Sequence, residues 1–311
     1  MSHSVKKIIP FSRILNLFVS VAFILSCDSG SSNHPYFSSD PILQAKIFAS
    51  GIVSTELPEF ATSFSPNGKT VYFNQASADR SKLFILQSNY SDGKWTEPVN
   101  LPFSDGTYRD VDPFVSPDGE RLYFSSNRPV TGTEPKPDFD TWYVSRRGDG
   151  WSEPINPGSP LNSDANEIFV SITKNGTIYF SSFDSNGSSN LYKSVNVDGN
   201  YTHPEKIEIP IDGADNIGNP CISPDESFLV FSATSQDGSG NSDLYISRFR
   251  DDKWGKAKNL GKFINSQFSD FAPSLSPDGN YLFFTSERPG VVPEDSEQGR
   301  PPGDIYQVEL P

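Results

Sequence analysis

The sequence predicts an all-β protein, a single ring of five four-stranded sheets, on three observations. Glycine and proline together make up about one residue in six of the 311, while hydrophobic residues reach only 35%. That composition excludes a helical bundle, a coiled coil and a polytopic membrane protein, and 13% aromatic content is enough to build cores. One short motif recurs five times at intervals of 50 to 57 residues. The last unit lacks an outer strand that a segment near the N-terminus can supply.

Each unit opens on a Ser/Thr turn: Phe64-Ser65-Pro66-Asn67-Gly68, Val115-Ser116-Pro117-Asp118-Gly119, Ile172-Thr173-Lys174-Asn175-Gly176, Ile222-Ser223-Pro224-Asp225-Glu226 and Leu275-Ser276-Pro277-Asp278-Gly279. Proline presets φ, the Asp or Asn side chain bonds nearby backbone, and glycine takes the positive φ that closes a hairpin. A second run follows in every unit, as in Val71-Tyr72-Phe73 and Leu282-Phe283-Phe284, then a third, as in Leu83-Phe84-Ile85 and Ile305-Tyr306. A fourth centres on Trp95, Trp151, Tyr201 and Trp254 in units one to four. Four short β-rich runs per unit of about 50 residues describe a propeller blade. Repeats therefore start near residues 59, 110, 167, 217 and 270. Leu43 to Phe48 occupies, ahead of the first unit, the place of an outer strand, which closes the ring on the fifth blade and removes an open edge.

Ahead of the ring, Lys6, Lys7 and Arg13 precede an apolar run from Ile14 to Leu25. Twelve helical residues rise roughly 18 Å, short of a ~30 Å hydrocarbon core, so the run reads as an export signal. It ends in Ile24-Leu25-Ser26-Cys27, which resembles a relaxed lipobox of bacterial lipoproteins. That resemblance implies removal of residues 1–26 and acylation of Cys27; the alternative is an ordinary signal peptide. Residues 27–40 then read as a polar tether and 41–311 as the propeller. With Cys27 acylated, Cys221 has no partner for a disulfide and reads as a small core filler.

The Ser-Pro-Asp-Gly units resemble the WD40-like Pro-Asp β-propeller repeat of the TolB propeller and of periplasmic propellers, over residues 59–308. The TolB propeller has six blades, the alternative to the five counted here. The lipobox resemblance implies a cell-envelope protein at the outer membrane, on its periplasmic or surface face, and the TolB resemblance implies partners at the channel mouth.

Six residues before each Ser/Thr stand Glu59, Asp110, Glu167, Ile217 and Asp270. Opening the innermost strands, the four carboxylates are expected around one mouth of the channel. They would form a site for a cation such as Ca2+ or for a basic group, or each would cap its own blade. Arg128 and Arg288 follow the second strand only in units two and five, which also carry Asp140 and Asp304. The expectation is an Arg–Asp brace between those pairs, with anion or sugar contact as the alternative. No cofactor is expected.

The formal charge of −14 argues against nucleic acid as a partner. Past the signal, histidine occurs only as His34 and His203, too little for a Ser-His-Asp triad, and the chain has no HExxH or CxxC. The expected function is a membrane-attached, non-catalytic scaffold that binds an envelope protein or glycan. The alternative is a carbohydrate-active enzyme using two carboxylates at the channel mouth.

Overall fold

A computed structural model describes residues 1, 35, 36, 38, 40–183, 187–236, 238–292 and 303–310. The chain divides into two compact units, Met1–Asn33 and His34–Pro311. The expected export signal and Cys27 lie outside the described residues. The second unit is a five-bladed β-propeller.

Each blade is an antiparallel meander running outwards from the axis. Its inner strands are Glu59–Phe64, Asp110–Val115, Ile168–Ile172, Ala214–Ile222 and Asp270–Leu275. The second strands are Thr70–Ala76, Arg121–Ser126, Ile178–Phe183, Phe228–Ser235 and Tyr281–Ser286. The third are Leu83–Ser91, Asp140–Arg147, Ser189–Ser194, Asp243–Arg250 and Asp304–Glu309. Outer strands are two-residue pieces, such as Lys94–Trp95 and Val99–Asn100 in blade one and Lys253–Trp254 and Lys258–Asn259 in blade four. In blade five the outer strand is Lys46–Ile47, with Lys46 opposite Gln307 and Ile47 opposite Tyr306. The ring is thus closed by joining the two ends of the unit.

The turn between first and second strands is built as its residues dictate. The hydroxyl of Ser116 donates to Asp118 Oδ1 (2.5 Å) and accepts from Arg121 N–H (2.9 Å), and Ser276 does the same with Asp278 and Tyr281 N–H. Gly68 combines two demands: φ is +70°, and a Cβ there would lie 3.0 Å from the Tyr36 ring. Tyr36 packs edge-on against Phe64, Tyr281 and Phe283, so the segment before the ring is pinned to the seam between blades five and one.

Every inner strand carries one extra residue in the left-handed region: Ala61 (φ 51°), Asp112 (59°), Phe169 (54°), Asn219 (53°) and Ala272 (51°). The pairing register slips at each of these places, which marks a β-bulge. The bulge frees an N–H, and four of them reach the preceding blade's second strand. Ala61 N–H donates to Thr285 Oγ1 (3.1 Å), Asp112 N–H to Asn74 Oδ1 (2.7 Å), Phe169 N–H to Ser125 Oγ (3.2 Å) and Asn219 N–H to Ser181 Oγ (2.9 Å). A second rank adds Val115 N–H to Ser63 Oγ and Ile222 N–H to Ser171 Oγ. Neighbouring blades are therefore stitched by directional bonds as well as by apolar packing. Between blades, large side chains fill the wedge, as where Phe48 meets Phe64, Trp95 and Phe283.

Candidate functional site

The bulges close the axis part-way along. Ala61, Phe169 and Ala272, from blades one, three and five, pack together with Phe60 and Phe271. Separate hollows lie towards the two ends of the inner strands.

The hollow on the turn side, about 230 Å3, is ringed by Pro66, Pro117, Pro224 and Pro277, with Lys174 where blade three lacks the proline. Cys221 also lines it, and burial pushes its thiol up to about 12, so it stays protonated. The hollow at the other end, about 260 Å3, lies where the inner strands begin. Its lining includes Glu59, Phe60, Arg80, Arg109, Phe271 and Glu287. Arg80 and Arg109 are exposed, and the Arg109 guanidinium sits 5.6 Å from the Phe139 ring centre.

Glu59, Asp110 and Asp270 open their inner strands and Glu167 directly precedes its own, and the fold gives each its partners inside the ring wall. Glu59 accepts from Thr55 N–H (2.9 Å), Thr55 Oγ1 (2.6 Å) and Gln75 Nε2 (2.8 Å). Glu167 accepts from Ser163 N–H and Oγ, and Asp270 from Ser266 N–H and Oγ. All four are buried. Among the described residues no three His, Cys, Asp or Glu side chains stand close enough to hold a metal. The four carboxylates are therefore not one ligand set, and only Glu59 lines the hollow described above.

The expected pairing of the two arginines is corrected. Arg128 pairs with Asp110 (2.7 Å) and Arg288 with Asp270 (2.7 Å), not with Asp140 and Asp304. Ser126 lies between Asp110 and Asp140 in register, and the arginine two residues later turns inwards over it: Arg128 Nε donates to Ser126 Oγ, which donates to Asp110. Asp140 instead takes Lys136 (2.6 Å) and Asn156, and Asp304 takes Val291 N–H. The signal was present in the sequence: the inner position is Asp in the units that have the arginine, and Glu in units one and three, which lack it. The longer Glu side chain reaches the hydroxyl residue four positions earlier, Thr55 or Ser163. That spacing, also seen as Ser266 before Asp270, was a second readable signal. Neither arginine lines the hollow that contains Glu59.

Burial pushes Glu59 and Glu167 up to about 7, against the hydrogen bonds that favour their ionised forms. Burial also raises Asp112 to about 7 and Asp304 to about 6. Each of these acids holds its proton more tightly folded than unfolded, so each stabilises the fold fully below pH ~4 and loses that contribution as pH rises through 6 to 7. The melting temperature is expected to fall between pH 5 and pH 8, and Glu167→Gln should flatten that slope. An unchanged slope in the variant would count against the assignment.

No protein-family profile matches the chain, and no curated protein is significantly similar to it. Its fold is similar to that of solved propellers. A protein described as a glycoside hydrolase superposes with a TM-score of 0.58 at 11% identity, over 86% of this chain and 93% of that one. An α-L-arabinofuranosidase from Lactobacillus brevis gives 0.53 at 15% identity, over 81% and 90%. A TolB-like protein from Agrobacterium tumefaciens gives 0.48 at 14%, over 83% and 92%. At these identities the likeness is one of fold.

Proposed function

We propose that this propeller is carbohydrate-directed, binding a sugar in the hollow where the inner strands begin. The observation that carries the reading is the lining of that hollow. The Phe60 and Phe271 rings offer apolar faces, Arg80 and Arg109 offer planar donors, and the buried Glu59 and Glu287 give the wall its negative charge. A concave site with apolar walls and a few convergent polar groups is what a small polar ligand requires. The similar folds described as a glycoside hydrolase and an arabinofuranosidase agree with this choice of ligand class.

Hydrolysis is the second reading, favoured by Glu59, which near pH 7 can carry a proton for a leaving oxygen. Both its oxygens are already engaged by Thr55 and Gln75, so it would have to give one up to act. Binding is the simpler function.

Titration calorimetry of the full chain against arabinan and xylan fragments tests the first reading. Arg80→Ala and Arg109→Ala should each weaken binding about tenfold, or about 1.4 kcal/mol. Absence of heat with every neutral glycan tried would end it. Chromogenic glycosides test the second: turnover abolished by Glu59→Gln would establish it.

The same proposal places the protein in the cell envelope, attached to the outer membrane by acyl chains on Cys27. Palmitate labelling is expected in the wild type and absent in Cys27→Ala; equal labelling would refute the anchor.

A further inference from the structure

Away from the axis, blade four presents a hollow of about 430 Å3 on its outer strands. It is lined by Ile246, Arg248, Arg250, Asp251, Lys253, Gly255, Lys256 and Lys258. Five exposed cations around one concavity are unexpected in a chain of charge −14.

The repeats supply an internal control. The Ser88, Ser194 and Ser247 hydroxyls donate to the carbonyls of Thr96, Thr202 and Gly255 (2.6, 2.5 and 2.7 Å), which aligns the outer strands of blades one, three and four residue by residue. Arg248 then corresponds to Asn89 and Val195, and Arg250 to Ser91 and Val197. Lys256 corresponds to Glu97 and His203, and Lys258 to Val99 and Glu205. In those two blades only Lys253 has a basic counterpart, Lys94; by strand register Arg147 of blade two corresponds to Arg250, and Lys46 of blade five to Lys258. In blade two Ser145 corresponds to Arg248 and Arg146 to Phe249. Arg146 and Phe249 each stand opposite an outer-strand Trp, and the Arg146 guanidinium lies over the Trp151 ring at 4.2 Å. Folding a blade does not call for the set, because among the described residues no other blade carries more than one of these five charges.

One of the five is engaged within the protein. Lys256 pairs with the exposed Asp212. Among the described residues Arg248, Arg250, Lys253 and Lys258 make no ion pair within 4 Å. Along the third strand Arg248 and Arg250 lie on one face, two residues or roughly 6.7 Å apart. Arg250 stands opposite Lys253, and Ile246 opposite Lys258. The cations are thus held in a fixed array on paired strands.

We infer that this groove binds an acidic polysaccharide, a chain bearing carboxylate, sulfate or phosphate groups at regular intervals. Its concavity suits a chain better than a flat bilayer. The lining has no aromatic ring on which a nucleic-acid base could stack. An acidic peptide would add its backbone to a free strand edge. Here Gly255 N–H is bonded to Arg248 O, and Ala257 N–H to Pro210 O, so recognition falls to the side-chain charges. The groove is separate from the hollow that contains Glu59, and its function does not depend on the reading given for that site.

The test uses the full chain in mild detergent with polygalacturonate as the probe. Dextran, poly-glutamate and phosphatidylglycerol vesicles run beside it. Wild type should bind polygalacturonate and not dextran, with affinity falling steeply as salt is raised. The triple variant Arg248→Asn/Arg250→Ser/Lys258→Glu carries residues found at these positions in blades one and three. It should melt like wild type and bind at least tenfold more weakly. In wild type, bound polygalacturonate should protect Lys253 and Lys258 from acylation and leave Lys193 in blade three reactive, a readout that needs no variant. Undiminished binding by a folded triple variant, or equal reactivity of all three lysines, overturns the proposal. So does tighter binding to poly-glutamate or to vesicles than to polygalacturonate.

Discussion

Arg128→Met is expected to cost about 3–5 kcal/mol of stability, read as a shift of the urea midpoint, because it leaves a buried carboxylate without its counter-charge. Asp110 is almost completely shielded, and its Oδ2 already has no hydrogen-bond partner. Burial raises its carboxyl pKa, and Arg128 is the main group opposing that rise. The guanidinium is itself enclosed, with the rings of Tyr108, Phe124 and Trp142 centred 5.4, 5.1 and 5.6 Å away. Adding Asp110→Asn to the methionine variant should recover most of the loss, since the chamber then holds no charge. Asp212→Asn, at the exposed pair with Lys256, should change stability little. A loss below about 1 kcal/mol for Arg128→Met would mean that Asp110 simply takes up a proton.

Phe48→Ala should cost a similar amount, about 3–5 kcal/mol, by opening a cavity in the seam that closes the ring. Phe48 follows the outer strand of blade five and bonds its N–H to Ile305 O (2.8 Å). Its ring touches Phe64 and Trp95 of blade one and Phe283 of blade five, so one truncation loosens two blades at once. Val99→Ser, on the exposed outer strand of blade one, should stay within about 0.5 kcal/mol. Equal effects at the two positions would show that the seam is no tighter than the surface.

The ring was legible in the sequence because each turn states its own chemistry. Ser116, Asp118 and Gly119 can do together little but close a hairpin, and five such statements at near-equal spacing leave one architecture. Blade count was legible for the same reason, once Leu43–Phe48 was matched to an outer strand. What was not legible was direction across the sheet. Arg128 lies two residues past Ser126, which faces an aspartate on either side, Asp110 and Asp140. Strand order alone does not say which one the side chain turns towards. The bulges were hidden for a related reason: Ala61, Asp112, Phe169, Asn219 and Ala272 share no chemistry, and the backbone, not the side chain, is what recurs. The hollow containing Glu59 combines residues of blades one, two and five, and no local pattern announces such a convergence.

The pairing of Lys46–Ile47 with Asp304–Glu309 also sets a timetable. A ribosome delivers this chain from its amino end, so Lys46–Ile47 emerges before any blade and waits while more than 250 further residues follow. Until Asp304–Glu309 arrives, Phe48 and Trp95 have no fifth blade to cover them, and four finished blades form an open arc. Assembly of the earlier blades can proceed in sequence, but the latch is the final event. A slow last phase, absent from probes in blades two and three, would be its kinetic trace, and a chaperone would have most reason to bind during that interval.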